Sequence, residues 1–303
     1  MIEIKNLNKT FGDSRNGKKV LDGLNSVIQS NCMYGLIGAN GAGKSTLLRI
    51  INDVYQKDSG SVLIDGEEVA NNERVKQKLA FLPDDMYLIP GYTLLDMASY
   101  YNAMYDNFDM EYLKQLASNL KLDLNAKLDT FSKGMKRQCM LICILATNAE
   151  YMFFDETFDG LDPVVRNYMK KILSKHMSEK NATIVMTSHN LRELEDICDN
   201  LGVLYKGGIL FESDIDTLKT QMFKVQIALK ENFSEETFRY LNPLSYKKTG
   251  SIATLIFRND REKIEKALRE MNPVVFDFLG LTLEEIFIYE MEGIGYEYNE
   301  IFQ

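Results

Sequence analysis

Short apolar runs alternate with longer segments of helical periodicity through the first two thirds of the chain. The runs at 33–37, 79–82, 151–154, 182–186 and 201–204 have strand length, and the first four stop at Gly38, Pro83, Asp155 and Thr187. Between them, helical patterns are predicted at 47–51, 71–78, 93–120, 139–146, from Pro163 onward and at 191–198, with Thr93 a candidate N-cap and Pro163 at a favoured first helical position. Strands that alternate with helices in this way predict an α/β fold with a largely parallel sheet covered on both faces. Residues 2–5 read as an edge strand that, with 24–28, forms a small antiparallel sheet; 59–66 is a further strand bounded by turn residues, and Lys206-Gly207-Gly208 is a turn before a strand at 209–211. The helical block from about 84 to 147 lies between strand-rich segments and reads as a subdomain inserted into the core. From about Asp216 the composition changes. Strands at 223–229, 252–257 and 274–278 interleave with helices at 234–241 and 260–271, which predicts a small α+β domain over 216–303 behind a main domain over 1–215.

The strand at 33–37 runs into Gly38-Ala39-Asn40-Gly41-Ala42-Gly43-Lys44-Ser45-Thr46, which fits the phosphate-loop pattern G-x-x-x-x-G-K-[ST] in its required strand-loop-helix setting. The glycines let successive backbone N–H groups approach a polyphosphate, and the helix N-terminus adds the positive end of its dipole. Lys44 is then placed for the β- and γ-phosphates and Ser45 for Mg²⁺. A nucleoside triphosphate is the expected ligand.

Composition narrows the picture further. In 303 residues, 35 basic and 44 acidic side chains give a net charge of −9, which argues against nucleic acid or an anionic membrane surface as the main partner. Cys32, Cys139, Cys143 and Cys198 form no C-x-x-C pair and read as buried free thiols of a reducing compartment. No stretch approaches the roughly 18 apolar residues of a membrane span, and the N-terminus has no export signal, so a cytoplasmic chain without direct membrane insertion is expected.

Phosphoryl transfer to water needs a metal, a positioned water and groups that hold the developing charge. Asp155 and Glu156 follow a buried strand, and His189 ends the neighbouring one, where ligands of open α/β sheets bind. Asp155 suits Mg²⁺ through its water shell. Glu156, expected to point the opposite way in the pleat, suits the orientation or deprotonation of water, and His189 a hydrogen bond to the γ-phosphate. Phe11 has two readings, a core aromatic of the small sheet or a ring face for a purine base.

The order of these motifs resembles the nucleotide-binding subunit of ATP-binding-cassette (ABC) transporters over about residues 1–215. The resemblance rests on Phe11, the loop 38–46, Phe131-Ser132-Lys133-Gly134-Met135 in place of the LSGGQ signature, Asp155-Glu156, the Gly160-Leu161-Asp162 loop and His189. It implies that Phe11 stacks on the adenine of ATP, and that Asp162 lies in a nucleotide-contacting loop. It also implies that two copies, as a homodimer, sandwich ATP so that Ser132, Lys133, Gly134 and Met135 of one face the phosphate loop of the other. Asp84 stands where the family usually has Gln and is expected near Mg²⁺ or water. Lys133 and Met135 depart from Gly and Gln of the signature, and Thr157 from a common Pro. The segment 281–288 resembles the C-terminal extension of ATPases paired with ABC-2 type export permeases. The expected protein is thus an active ATPase at the inner face of the cell membrane, bound there through an integral membrane permease. Two alternatives are a weakly hydrolysing regulatory ABC subunit, made plausible by Asp84 and Lys133, and a soluble non-transport ABC ATPase. The second usually carries two cassettes or a long coiled coil, and this chain has neither. The last twenty residues are rich in glutamate without Lys or Arg, which reads as a solvated acidic terminus.

Overall fold

A computed structural model describes residues 1–12, 17–158, 161–258 and 260–293. Parts of the polar loop before Lys19, Gly160 of the Gly-Leu-Asp loop and the last ten residues of the acidic terminus lie outside the described residues. Contacts divide the chain into two compact units, one from Met1 to Glu212 and a second that begins at Ser213.

The first unit starts with β1 (Ile2–Phe11), β2 (Lys18–Ile28), β3 (Met33–Ile37) and α1 (Lys44–Ile51). It continues through β4 (Ser59–Ile64), β5 (Glu67–Glu68), a single turn α2 (Glu73–Lys76) and β6 (Leu79–Leu82). Three helices follow, α3 (Leu94–Met104), α4 (Met110–Asn119) and α5 (Lys133–Ala146), before β7 (Tyr151–Asp155), α6 (Pro163–Lys180), β8 (Thr183–Ser188), α7 (Leu191–Glu195), β9 (Asn200–Tyr205) and β10 (Gly208–Asp214). One sheet has the order β2-β1-β4-β5 and the other β10-β9-β3-β8-β7-β6. In the second, β9, β3, β8, β7 and β6 pair in parallel. Lys206 and Gly207, both at positive φ, make the two-residue turn into β10.

β1 corrects the expected edge strand at 2–5. It extends to Phe11 and lies between β2 and β4. Its register shifts between Ile4 and Leu7, and again between Leu7 and Lys9, which hides the alternation that period-two reading depends on. The core places α1 among both sheets: Leu47, Leu48, Ile50 and Ile51 share one buried cluster with Ile2, Ile4 and Val62 of one sheet and Leu36, Phe153 and Val185 of the other. Each such side chain contributes about 1.5–3 kcal/mol by burial, so the helix behind the phosphate loop is held rigidly.

The pattern over 93–120 resolves into two helices. Thr93 caps α3 in a reciprocal box with Asp96, and Asp109 caps α4 by accepting from the Tyr112 N–H. Every residue of α5 from Cys139 to Ala146 is buried, as expected of a helix that is apolar all round. Asp109 N–H donates to the Ala146 carbonyl at 2.7 Å, tying α4 to the end of α5.

The second unit contains α8 (Ile215–Gln221), β11 (Met222–Ala228), β12 (Ser245–Thr249), β13 (Ile252–Arg258), α9 (Arg261–Glu270), β14 (Val275–Leu279) and α10 (Leu283–Gly293). Its sheet has the order β12-β13-β11-β14 and is antiparallel at every pairing. The predicted helix at 234–241 is a 3₁₀ helix, and β12 escaped notice because Ser245-Tyr246-Lys247-Lys248-Thr249 is a mostly exposed edge with no apolar run. Lys224 pairs with Glu285 at 2.7 Å and Arg258 with Glu290 at 2.9 Å, fastening α10 to β11 and β13.

His176 of α6 is 1% exposed, stacks on Tyr112 of α4 at 5.9 Å between centroids, and its Nε2 has no partner among the described residues. Burial, with Lys180 nearby, pushes its pKa down to about 4. Its folded value lies below the unfolded one, so the neutral ring favours folding above pH 6.5, and that contribution disappears as pH falls toward 4. Unfolding free energy should therefore decline over this window by up to about 1.4 kcal/mol per pH unit from this group. Denaturant titrations of His176→Phe, which keeps a flat ring, should show that component of the slope removed.

Candidate functional site

The carboxyl ends of β3, β7 and β8 lie in register. Ile37 is opposite Ser188 and Asp155 is opposite Thr187, so Gly38, Glu156 and His189 emerge side by side. The sharp turn from β3 into α1 needs glycine at two points. A Cβ on Gly38 would come within 2.4 Å of the Leu204 carbonyl oxygen, and Gly43 sits at φ 113°. No side chain caps α1, which leaves its first N–H groups available to an anion.

Lys44 is 5% exposed and donates to the Gly38 carbonyl at 2.7 Å and the Ala39 carbonyl at 3.3 Å, with Glu156 Oε1 3.3 Å away. The other oxygen of Glu156 accepts from His189 Nδ1 at 2.8 Å. Glu156 departs from the expected pleat. Its φ is 47°, a left-handed turn after β7, and that turn rather than strand alternation swings the carboxylate toward Lys44 and His189. Its N–H donates to Thr187 Oγ1 at 3.0 Å, and the same hydroxyl donates to Asp155 Oδ1 at 2.6 Å. Asp155 is fully buried, and its Oδ2 has no hydrogen-bond partner among the described residues.

Lys44, Glu156 and His189 border a cavity of about 510 Å³ lined also by Phe11, Lys18, Val20, Asn40, Gly41, Gly43, Ser45, Thr46 and Asp84. Phe11 is 39% exposed at its edge, 5.5 Å from Tyr55 in an edge-to-face pair, so it is not a core aromatic.

A family profile described as ABC transporter matches residues 21–159. The chain is 32% identical to the Nod factor export ATP-binding protein I of Burkholderia lata over 212 residues, 68% of each chain. It belongs to the ABC transporter family. Similarity to the ABC transporter ATP-binding protein YtrB of Bacillus subtilis is 29% over 293 residues, covering 97% of this chain and 99% of that protein. A solved structure of an ATP-binding subunit of an ABC transporter superposes with a TM-score of 0.66 at 27% identity, covering 73% of this chain and 92% of the other. The fold is shared as well with the dimeric cassette MJ0796, solved in a post-hydrolysis state with ADP and Pi, at a TM-score of 0.65, 21% identity and coverage of 71% and 99%. The chain is thus an ATP-binding subunit of the ABC ATPase class.

Within this ABC subunit the expected site residues divide into two groups. Phe11, Asn40, Gly41, Gly43, Lys44, Ser45, Thr46, Asp84, Glu156 and His189 meet at the cavity. Gly38 contributes its carbonyl to Lys44, and Ala42 packs against the core beneath the loop. Ser132, Lys133, Gly134, Met135, Asp155 and Asp162 do not line it, Asp155 lying buried directly behind Glu156. Ser132 caps α5 by accepting from the Met135 N–H at 3.2 Å, Lys133 borders a separate cleft with Asp84 and Asp85, and Asp162 caps α6 through Val164 and Val165. Asp84 is ion-paired with the guanidinium of Arg137, a partner that no reading of the sequence supplied. Lys18 and Val20 were also missed; Lys18 reaches the cavity because β2 pairs it with Phe11 across the strand. Thr187, inside a segment read only as a strand end, holds Asp155 and Glu156 together.

Thr187→Val should leave the Glu156 N–H and the Asp155 carboxylate short of partners, at a cost of about 1–3 kcal/mol. Urea unfolding measures it, and Thr187→Ser, which keeps the hydroxyl, should recover most of the loss.

Proposed function

We propose that this ABC subunit hydrolyses ATP to power export through a separate ABC-2 type membrane permease, with two copies enclosing two ATP. The observation that carries the catalytic part is Glu156, held at the cavity edge between Lys44 and His189. When a triphosphate enters, Lys44 exchanges Glu156 for phosphate oxygens, and Glu156 becomes free to orient a water and accept its proton. His189, released from Glu156, can then turn a ring N–H toward the γ-phosphate. Phe11 offers its exposed ring to the base, beside the aliphatic Val20.

The residues present fit Mg²⁺. Ser45 lines the cavity, and Asp155, one residue before the cavity-lining Glu156, is buried with its Oδ2 unpartnered among the described residues. Among the described residues no group of three His, Cys, Asp or Glu side chains could hold a metal alone, which agrees with the usual reliance of Mg²⁺ on one or two carboxylates, waters and substrate phosphates. The ion would neutralise charge developing on the phosphates.

The dimer is supported by what one copy lacks. Ser132 and the N-terminus of α5 are absent from the cavity lining, so the signature meets a phosphate only if a second copy brings it. Export is supported by the similarity to Nod factor export ATP-binding protein I, and a transport role more generally by the similarity to the lantibiotic transport protein SrtF of Streptococcus pyogenes, although a methionine import protein is also similar. The sequence of the C-terminal segment favours the ABC-2 branch. Among the described residues no helix is long and apolar enough to cross a membrane, which suits a peripheral subunit at the cytoplasmic face with the permease as its anchor.

Mg²⁺-dependent ATP hydrolysis by the purified chain tests this. Turnover per chain should rise with protein concentration and fall about 10²-fold or more in Glu156→Gln. A loss below about tenfold would overturn the general-base assignment. Absence of turnover at every concentration would favour the weakly hydrolysing regulatory reading.

A further inference from the structure

Arg137 is a buried cation on the second turn of α5, 2% exposed. A guanidinium removed from water needs both a counter-charge and acceptors for its N–H groups. One arm of its fork donates to the Glu156 carbonyl at 2.9 Å, and the other pairs with Asp84 Oδ1. The carbonyl end is the informative one. Glu156 occupies the left-handed region, which an L-residue holds only when its surroundings over-determine it. Thr187 holds the N–H side of that residue and Arg137 the carbonyl side, so together they define where the carboxylate points.

Asp84 cannot be read in isolation from this pair. Its carboxylate faces a buried positive charge, whereas the buried carboxylate oxygen that lacks a partner belongs to Asp155. We propose that Arg137 is the positioning residue for Glu156 and that Asp84 acts as its counter-ion rather than as a metal ligand. The loop after β6 thereby sets the geometry of the general base. One side chain links three places: that loop, the helix capped by Ser132, and the turn after β7. A displacement of the loop or of the N-terminus of α5 is transmitted to Glu156 through the guanidinium. Lysine could not replace it, since a point ammonium lacks the rigid fork that spans both acceptors. The inference rests on the reading of Glu156 as general base given above.

The test compares the full chain with Asp84→Asn, Asp84→Glu, Arg137→Lys, Glu156→Gln and the Asp84→Asn/Glu156→Gln double variant. Single-turnover rates, KM for ATP, the Mg²⁺ concentration at half-maximal rate and equilibrium ATP binding are measured, with melting curves to verify folding. Asp84→Asn should lower the rate about tenfold or more while KM and the Mg²⁺ midpoint move less than about threefold. Asp84→Glu should restore most of the rate, and Arg137→Lys, the second variant should Asp84→Asn fold poorly, should lose as much as Asp84→Asn. In the Glu156→Gln background Asp84→Asn should cost less than about twofold more and leave ATP binding unchanged, because both act through one group. A Mg²⁺ midpoint raised about tenfold would overturn the proposal in favour of a metal ligand. So would losses that multiply, or an Asp84→Asn rate equal to wild type beside a normal Glu156→Gln loss. If Glu156→Gln itself keeps full turnover, the general-base reading fails, and the proposal fails with it.

Discussion

A lysine ammonium buried to 5% exposure has to find oxygen acceptors from the protein or from a ligand. In this chain Lys44 finds the carbonyls of its own loop and the carboxylate of Glu156. The first acceptors exist because glycine lets the loop fold back on the lysine. The second exists because β7 and β3 flank β8 in one parallel sheet and end level with each other. The site is therefore a property of sheet register. A one-residue slip of β7 would shift the turn at Glu156 along the sheet edge, away from Thr187 and from Lys44.

The same constraint organises the neighbours of Glu156. Its turn is left-handed, and both of its peptide groups are held by side chains from other elements, Thr187 on β8 and Arg137 on α5. Asp155, one residue earlier, uses the same threonine for one oxygen and keeps the other unpartnered. Two adjacent acids thus acquire different chemistry from environment alone. Asp155 is buried and suited to a cation's water shell, and Glu156 lies beside two exchangeable basic partners.

Burial also explains which groups are inert. All four cysteines are buried and free, and desolvation pushes the thiols of Cys32, Cys139, Cys143 and Cys198 well above the ordinary range. They behave as small apolar side chains. The tyrosines of α3 divide similarly: Tyr101 stacks on Tyr105 within the fold, while Tyr100 is half exposed.

Local pattern determined much of this protein. The phosphate loop, the parallel sheet, the N-cap Thr93, the helix start at Pro163 and the strand-end positions of Asp155, Glu156 and His189 all follow from short-range rules, because strand period, turn chemistry and helix entry depend on residues close in sequence. The fate of Asp84 did not follow, because its partner lies 53 positions away on another element. Nor did the extent of β1, whose bulges break period two, or the arrival of Lys18 beside Phe11 through cross-strand pairing. The left-handed turn at Glu156 was hidden for the same reason: nothing in Asp155-Glu156-Thr157 favours positive φ, and the groups that hold its two peptide units, Thr187 and Arg137, come from other elements. Sequence proximity decided which residues stand at the phosphate loop and the strand ends. Long-range hydrogen bonding and charge pairing, which only the tertiary structure brings together, decided where each of them points.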